Sequence, residues 1–231
     1  MATIRFLCST ALKSSLDELL AAFEHRVEPS YGPSAQLTKR LAEGEATDAV
    51  VLTGPGFDEM ATLGKVTPAS RLTIARSATM LAVKQGTPRP DISTVETFKQ
   101  AMLNARSLAF SGPSAGASGA HVAKVLERLG IAEAMKPKIV LGPGGPAGLI
   151  GNYLVSGEAE IGIQQDSELM SVLGVDIVGP LPAEIGLTTE FVFAVHTSAG
   201  DASAAKALGE FMRTPAARAT MKQKGLTPAS P

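Results

Sequence analysis

Short apolar runs alternate along the chain with longer segments in which apolar residues recur every three or four positions. Residues 3–8 form the first run, and the segment after it carries a helical stripe of Leu16, Leu19, Leu20, Phe23 and Val27. Further strands are predicted at 48–53, 71–75, 79–83, 108–110, 138–141, 160–164, 175–178 and 190–195. This alternation predicts an α/β fold in which helices cover both faces of parallel sheets.

Capping residues, glycines and prolines mark the predicted helix ends. Ser34 begins a helix that ends at Gly44, and Ser93 with Glu96 forms a capping-box pattern ahead of another helix. Further helices are predicted before Gly130, near 148–155, and on both sides of a break at 214–215. This order suits either one large sheet or two lobes that two strands cross.

Composition narrows the function classes. The 231 residues are 45% hydrophobic and 19% charged, with a formal net charge of -1 and interspersed signs, so no basic patch points to nucleic acid or to an anionic membrane surface. The single cysteine, Cys8, lies in an apolar run, where a buried small side chain is expected, and it excludes an intrachain disulfide.

The chain carries no signal for membrane insertion. No apolar run of about 18 residues occurs, and the first ten residues lack the pattern of an export leader. As written, the sequence predicts a cytoplasmic protein, or a periplasmic one if a leader has been removed.

The stretch SGPSAGASGAHVAKVLERLG at 111–130 contains the G-x-S-x-G pattern of a hydrolase nucleophile, centred on Ser114. Five small residues separate Ser114 from the first helical turn, and His196 closes an apolar strand, so the hydrolase interpretation is disfavoured. A nucleotide loop is also disfavoured because no lysine follows the glycines, and GPGGPAG at 142–148 has prolines where N–H donors are needed.

Hydroxyl residues stand where strands pass into helices. Ser118 precedes one helix, Ser9 and Thr10 follow the first strand, and Ser34 begins another helix. The N-terminus of a helix favours an anion, and glycines allow the backbone to approach it closely; alternatively, Ser118 only caps its helix. Three such positions predict an anion-binding cleft at the edge where parallel strands end.

Seven segments, in order, resemble the molybdate-binding-protein-like group of type II periplasmic solute-binding proteins. They are STALKSSLDELLAAFE, SYGPSAQLTKRLAEGEATDAVVLT, SRLTIARSATMLAVKQGTP, LAFSGPSAGASGAHVAKVLERLGI, MKPKIVL, LVSGEAEIGIQQDSE and FMRTPAARATMKQKG. The resemblance implies two α/β lobes, 1–80 with 195–231 and 81–194, with two crossing strands as hinge and a ligand cleft between them. It also implies a small anionic ligand and, if the protein is exported, the permease of an ABC transporter as partner.

The resemblance transfers the ligand site to particular positions. They are Thr10 and Ala11 after the first strand, then Ser34, Ser118, Pro146, Ala147 and Gln165. Molybdate binders of this group have serine in place of Ala11 and tyrosine in place of Gln165. Gaining the amides of Gln164 and Gln165 favours an organic carboxylate or an oxyanion other than molybdate.

The same resemblance is nearest to a branch that includes aconitate isomerase, which implies an alternative function as an isomerase of an unsaturated tricarboxylate. His121 is the candidate catalytic base, with a solvent-facing histidine as the alternative. Arg76 can bind a ligand carboxylate or form a structural ion pair, and Glu190 and Asp166 are acids near expected strand ends. No cofactor is expected, and with three scattered histidines no metal site is expected.

Overall fold

The computed structural model describes residues 2–230. Its strands are β1 (Thr3–Ser9), β2 (Arg26–Gly32), β3 (Ala49–Thr53), β4 (Leu72–Lys84), β5 (Leu108–Ser111), β6 (Ile139–Gly142), β7 (Ile161–Gln165), β8 (Val175–Pro180), β9 (Thr188–Val195) and β10 (Thr227–Pro228). Its α-helices are α1 (Lys13–Leu19), α2 (Ser34–Ala42), α3 (Gly54–Thr62), α4 (Val95–Asn104), α5 (Ala117–Arg128), α6 (Ala132–Met135), α7 (Ile150–Ser156), α8 (Asp166–Leu169), α9 (Ala202–Phe211) and α10 (Pro215–Gln223).

The chain divides into two compact units. Unit 1 comprises Met1–Ser77 and Thr189–Pro231, and unit 2 comprises Ala78–Thr188. Nearly all of β9 belongs to unit 1, whereas the sequence analysis assigns residues up to 194 to the second lobe. The reason is a long-range pairing, because β9 runs antiparallel to β3 from Phe191 opposite Thr53 to Val195 opposite Ala49.

Unit 1 contains strands in the order β2-β1-β3-β9-β4, with β10 paired to β4. β1 is parallel to β2 and β3, whereas β9 is antiparallel to β3 and β10 is antiparallel to β4. Successive side chains of β1 point to opposite faces, so Phe6 packs in one core with Leu16 and Leu208, and Leu7 packs in another with Leu41. Both faces of the sheet are therefore buried.

Unit 2 contains strands in the order β4-β7-β5-β6, with β8 also paired to β4. β5 is parallel to β6 and β7, and β4 is antiparallel to β7 and β8. One core surrounds Phe98, Phe110 and Ile163, and the other surrounds Ile150 and Leu154. The predicted α/β fold is confirmed, but both units have mixed sheets, whereas the sequence analysis expects parallel ones.

Three local predictions differ from the structure. Val27 lies in β2 and not on the first helix, because residues 26–32 pair with all of β1; Pro29 is tolerated there since β2 is an edge strand. The capping box of α4 is formed by Thr94 and Thr97, one residue after the predicted Ser93. The runs at 71–75 and 79–83 form a single 13-residue strand, β4.

Candidate functional site

Three strand ends of unit 1 bring hydroxyl residues to one sheet edge. Ser9 at the end of β1 lies opposite Gly32 at the end of β2, two residues before Ser34. Ser34 is the first residue of α2, and its Oγ accepts a hydrogen bond from the Thr53 N–H at the end of β3 (3.2 Å). Because Oγ acts here as acceptor, the Ser34 hydroxyl proton is available for a further acceptor.

Thr10 carries a buried hydroxyl at this edge that lacks a hydrogen-bond partner in the described residues. Its side chain is 5% exposed, and its Oγ1 finds no hydrogen-bond partner within residues 2–230. A buried hydroxyl without a partner costs roughly 1–3 kcal/mol. An acceptor atom supplied by a ligand would recover that cost.

Arg76 and Glu190, two of the candidate residues, contact each other in unit 1. The Arg76 guanidinium lies 2.9 Å from Glu190 Oε1, and Arg71 lies 3.2 Å from Glu190 Oε2. Glu190 also lies beside the first residue of α3, since a Cβ on Gly54 would be 3.7 Å from its Oε2. The structure therefore has Arg76 in the ion pair that the sequence analysis left as its alternative.

The strand ends of unit 2 form an equivalent edge. Ser111 at the end of β5 lies opposite Gly142 at the end of β6, and Phe110 lies opposite Ile163 of β7. Helix α5 follows β5 and begins so close to it that a Cβ on Gly119 would lie 1.9 Å from the Ser111 carbonyl oxygen. Gly119 is thus required by the packing of helix on strand, whereas the sequence analysis attributes such glycines to the approach of an anion.

Ser118 lies in the first turn of α5 and is 5% exposed. The residue that caps α5 is Gly116, and the described residues give this helix no side-chain cap. Ser118 therefore does not cap the helix, which was the alternative to a binding role. By contrast, Ser114 lies in the turn between β5 and α5 and is exposed.

Pro146 and Ala147 occupy a short 3-10 turn ahead of α7, and both are exposed. The turn is entered through Gly144 and Gly145, whose φ angles of 73° and 70° strongly favour glycine. These two residues therefore shape the loop that presents Pro146 and Ala147.

The two glutamines at the end of β7 point to opposite faces and have different roles. Gln164 Oε1 accepts a hydrogen bond from the Ile150 N–H (2.7 Å), so this amide fixes the first residue of α7. The contact uses only Oε1, and the contribution of Gln164 to a ligand site stays a prediction. Gln165 is 5% exposed and lies opposite Thr79 of β4.

His121 lies on α5 and is half-buried. Its Nε2 lies 2.8 Å from the carbonyl oxygen of Ile185. A carbonyl only accepts, so Nε2 carries the proton and Nδ1 is the free acceptor of the neutral ring. A role as base would therefore require Nδ1, and the solvent-facing alternative does not describe this half-buried side chain.

Sequence reasoning missed Glu168, the third residue of α8. Burial raises the pKa of Glu168 to about 7, although a hydrogen bond from the Gln165 N–H opposes the rise. Burial also raises the pKa of Asp166. The segment QQDSEL contains two acids near a strand end, but nothing in it indicates which carboxyl turns inward.

A cavity of about 670 Å³ lies elsewhere in unit 2. It is lined by residues between 83 and 106 and between 154 and 161, including Ile161 at the start of β7. It therefore lies at the opposite end of β7 from Gln165. None of the predicted site residues lines it.

A family model described as bacterial extracellular solute-binding protein matches residues 4–227. The chain belongs to this family. Within the described residues, no helix combines the length and apolarity that crossing a membrane requires.

Individual proteins resemble this member of the family along its whole length. An aconitate isomerase from Pseudomonas sp is 31% identical, with 98% of this chain and 88% of that protein aligned. The periplasmic molybdate-binding protein of Azotobacter vinelandii has a TM-score of 0.79 at 20% identity, covering 99% of both chains. The sulfate-binding protein of Mycobacterium tuberculosis has a TM-score of 0.79 at 19% identity, covering 100% of this chain and 88% of that one. The two structures show that the fold is that of type II solute-binding proteins.

Proposed function

We propose that this solute-binding protein binds a small anion through hydroxyl and N–H groups where its strands end. The observation that carries the proposal is the buried Oγ1 of Thr10, which has no hydrogen-bond partner among residues 2–230. Ser118, buried at the start of the 12-residue helix α5, supports it from unit 2. No basic side chain is required, because N–H groups and the helix dipole favour negative charge.

An organic polycarboxylate is the class of anion that we favour. Ala11 and Gln165 stand where molybdate binders of the group carry serine and tyrosine, and the 31% identical relative is named for an unsaturated tricarboxylate. The family description is that of extracellular proteins. We therefore propose that the protein acts in the periplasm and delivers its ligand to an ABC transporter permease.

Isomerisation of an unsaturated tricarboxylate such as aconitate is the second candidate. The full-length similarity to an aconitate isomerase is the observation that favours it. Such a reaction moves a proton along an allylic system, so it needs a proton-transfer group beside the bound acid. NMR of cis- and trans-aconitate in the presence of the protein separates the two functions, since a binder leaves both isomers unchanged.

The binding test compares two hydroxyl deletions in the same unit. Thr10→Val removes the unpartnered hydroxyl, whereas Thr47→Val removes a buried hydroxyl that bonds to Arg5 and Ala49 at the other end of β3. We expect Thr10→Val to weaken the affinity for the bound anion about tenfold with little loss of stability, and Thr47→Val to lower stability only.

The ligand is found by thermal shift with molybdate, tungstate, sulfate, phosphate, citrate and the two aconitates, followed by calorimetry. A ligand at 100 times its dissociation constant adds about 2.7 kcal/mol of stability. Equal affinities in wild type and Thr10→Val would remove Thr10 from the site. If none of these anions stabilises the protein, the proposed function is wrong.

A further inference from the structure

Thr79 of β4 carries a buried hydroxyl in unit 2. The residue is 1% exposed, and its Oγ1 has no hydrogen-bond partner in the described part of the chain. Both backbone groups of Thr79 are bonded, because its N–H donates to the Leu187 carbonyl oxygen (2.8 Å) and its carbonyl oxygen accepts from the Leu181 N–H (3.4 Å). The hydroxyl proton is therefore the group of this residue that lacks an acceptor.

The Thr79 side chain lies beside that of Gln165. The two residues are opposite each other in the antiparallel pairing of β4 with β7. Since both backbone groups of Thr79 bond to the segment 181–187, they point away from β7, and the pair is of the non-hydrogen-bonded type. In that type the Cα atoms are only about 4.5 Å apart and the side chains lie closest. A ligand group that contacts Gln165 is therefore within reach of Thr79.

Both side chains lie on the sheet face that helix α5 covers. Alternate residues of a strand share a face, so Thr79 is on the same face as Leu81 of β4. By the same rule Gln165 shares its face with Ile163 of β7. Leu81 and Ile163 pack in one core with Val122 of α5. The Thr79 hydroxyl is thus buried between the sheet and the side of the sheet on which α5 begins.

Ser118 lies on the same face, on the other side of β7. With Val122 and Val125 it forms an i, i+4, i+7 stripe, and these two valines pack in that core, so Ser118 belongs to the stripe of α5 that faces the sheet. The start of α5 adjoins the end of β5, since a Cβ on Gly119 would lie 2.8 Å from the Gly112 carbonyl oxygen. The strand order β4-β7-β5 therefore leaves one strand between the two hydroxyls.

The hydroxyls of Thr79 and Ser118 are too far apart for one compact anion. The end of β5 is level with Gln165, because Phe110 lies opposite Ile163. Two strand spacings separate β4 from β5, which is roughly 10 Å. Hydrogen bonds of about 2.8 Å from each hydroxyl leave about 4 Å between the two acceptor oxygens. The oxygens of sulfate or molybdate surround one central atom and do not extend that far, whereas carboxylates on neighbouring carbons do.

We infer that Thr79 donates a hydrogen bond to a second carboxylate group of the ligand, whose first carboxylate lies beside Ser118 at the start of α5. This inference rests on the proposed function and adds to it a residue that selects the length of the ligand. The ligand class is then an acid with carboxylates on neighbouring carbons, as in citrate and the aconitates. A compact oxyanion reaches only one of the two positions.

Isothermal titration calorimetry of the full chain tests the second position. Citrate, trans-aconitate and sulfate are titrated into wild type, Thr79→Val and Thr87→Val. The control, Thr87→Val, removes an exposed hydroxyl that bonds to the Lys84 carbonyl oxygen just after β4. We expect Thr79→Val to weaken both tricarboxylates about tenfold, because a hydrogen bond to a charged group is lost, and to leave the affinity for sulfate within about twofold. Thr87→Val should bind all three as wild type does.

Ser118→Ala distinguishes the two positions. It removes the hydroxyl at the start of α5, so it should weaken sulfate as well as the tricarboxylates. In the double variant with Thr79→Val the losses for citrate should multiply, because hydroxyls that bind different carboxylates act independently. Thr79→Ser keeps the hydroxyl and should retain most of the affinity for citrate. The melting temperature of Thr79→Val should equal or exceed that of wild type, since the variant removes a buried hydroxyl that has no partner in the described residues.

The outcomes separate this inference from the function on which it rests. Equal citrate affinity in wild type and Thr79→Val would overturn the role of Thr79 and leave the proposed function intact. An equal loss for citrate and sulfate would do the same, because Thr79 would then only hold Gln165 in place, and so would binding of sulfate but of neither tricarboxylate. If no anion binds to wild type, both are wrong. Should Thr79→Val not fold, Thr79→Ser and Thr79→Ala replace it, since these differ only in the hydroxyl, and equal citrate affinities in the two would refute the inference.

Discussion

Substitution of Glu168 by glutamine should change the pH dependence of folding stability in a defined direction. Glu168 is buried in unit 2, and burial raises its pKa from the usual 4.5 to about 7. Glutamine has nearly the same shape, and its carbonyl oxygen can still accept the Gln165 N–H. The variant therefore removes the titration with little change in packing.

The direction of this pH dependence follows from the raised pKa of Glu168. Between pH 4.5 and 7 the folded protein retains a proton on Glu168 that the unfolded chain releases. The free energy of unfolding of wild type therefore falls as the pH rises through this range and levels off above it. At 1.36 kcal/mol for each pKa unit, the change amounts to roughly 3 kcal/mol.

Urea unfolding followed by circular dichroism suits this chain, which contains no tryptophan. The free energy of unfolding of Glu168→Gln should be similar to that of wild type near pH 5 and higher by up to about 3 kcal/mol near pH 8. Glu133→Gln controls for the loss of one negative charge. A difference between Glu168→Gln and wild type that stays constant across this range would refute the argument that burial of this carboxyl dominates.

Two further substitutions test how the strand edges are built. Gly119→Ala places a Cβ 1.9 Å from the Ser111 carbonyl oxygen, so α5 must move. We expect a loss of about 2 kcal/mol in the free energy of unfolding, measured in urea, and weaker anion binding by calorimetry. Unchanged affinity would show that the start of α5 does not belong to the anion site. Asp48→Asn disrupts a carboxylate that accepts N–H groups from Arg5 and Gly200, and we expect a loss of about 2 kcal/mol near neutral pH. Burial alone would raise the pKa of Asp48, but these hydrogen bonds hold that pKa below 3.8. The ionised carboxylate therefore stabilises the folded protein above pH 3.8, and this contribution is lost as the pH falls through the lowered pKa. A stability difference that persists far below pH 3 would contradict this account.

Local sequence patterns predicted most of the helices and strands, but not which strands pair with each other. The break before Pro215 follows from capping and proline chemistry, because Thr214 caps α10 and Pro215 is its first residue. The helix that begins at Ser34 was also predicted, although its N-cap is Pro33 and no side chain caps it. The strand at 26–32 was missed because its apolar content is low. It forms because β1 supplies a complete parallel partner for its backbone, which the sequence of the strand does not indicate.

The candidate site was likewise predicted from the sequence in part, and the rest of it required the tertiary structure. Thr10, Ser34 and Ser118 could be selected from sequence because hydroxyls between strands and helices form a local pattern, and the alternating elements alone determined the α/β class. Only the tertiary structure decided that Gln164 fixes the start of α7, that Arg76 pairs with Glu190, and that Glu168 is buried with no cationic partner among residues 2–230. Burial and pairing depend on which distant residues surround a side chain, and the chain establishes those neighbours only when the sheets assemble.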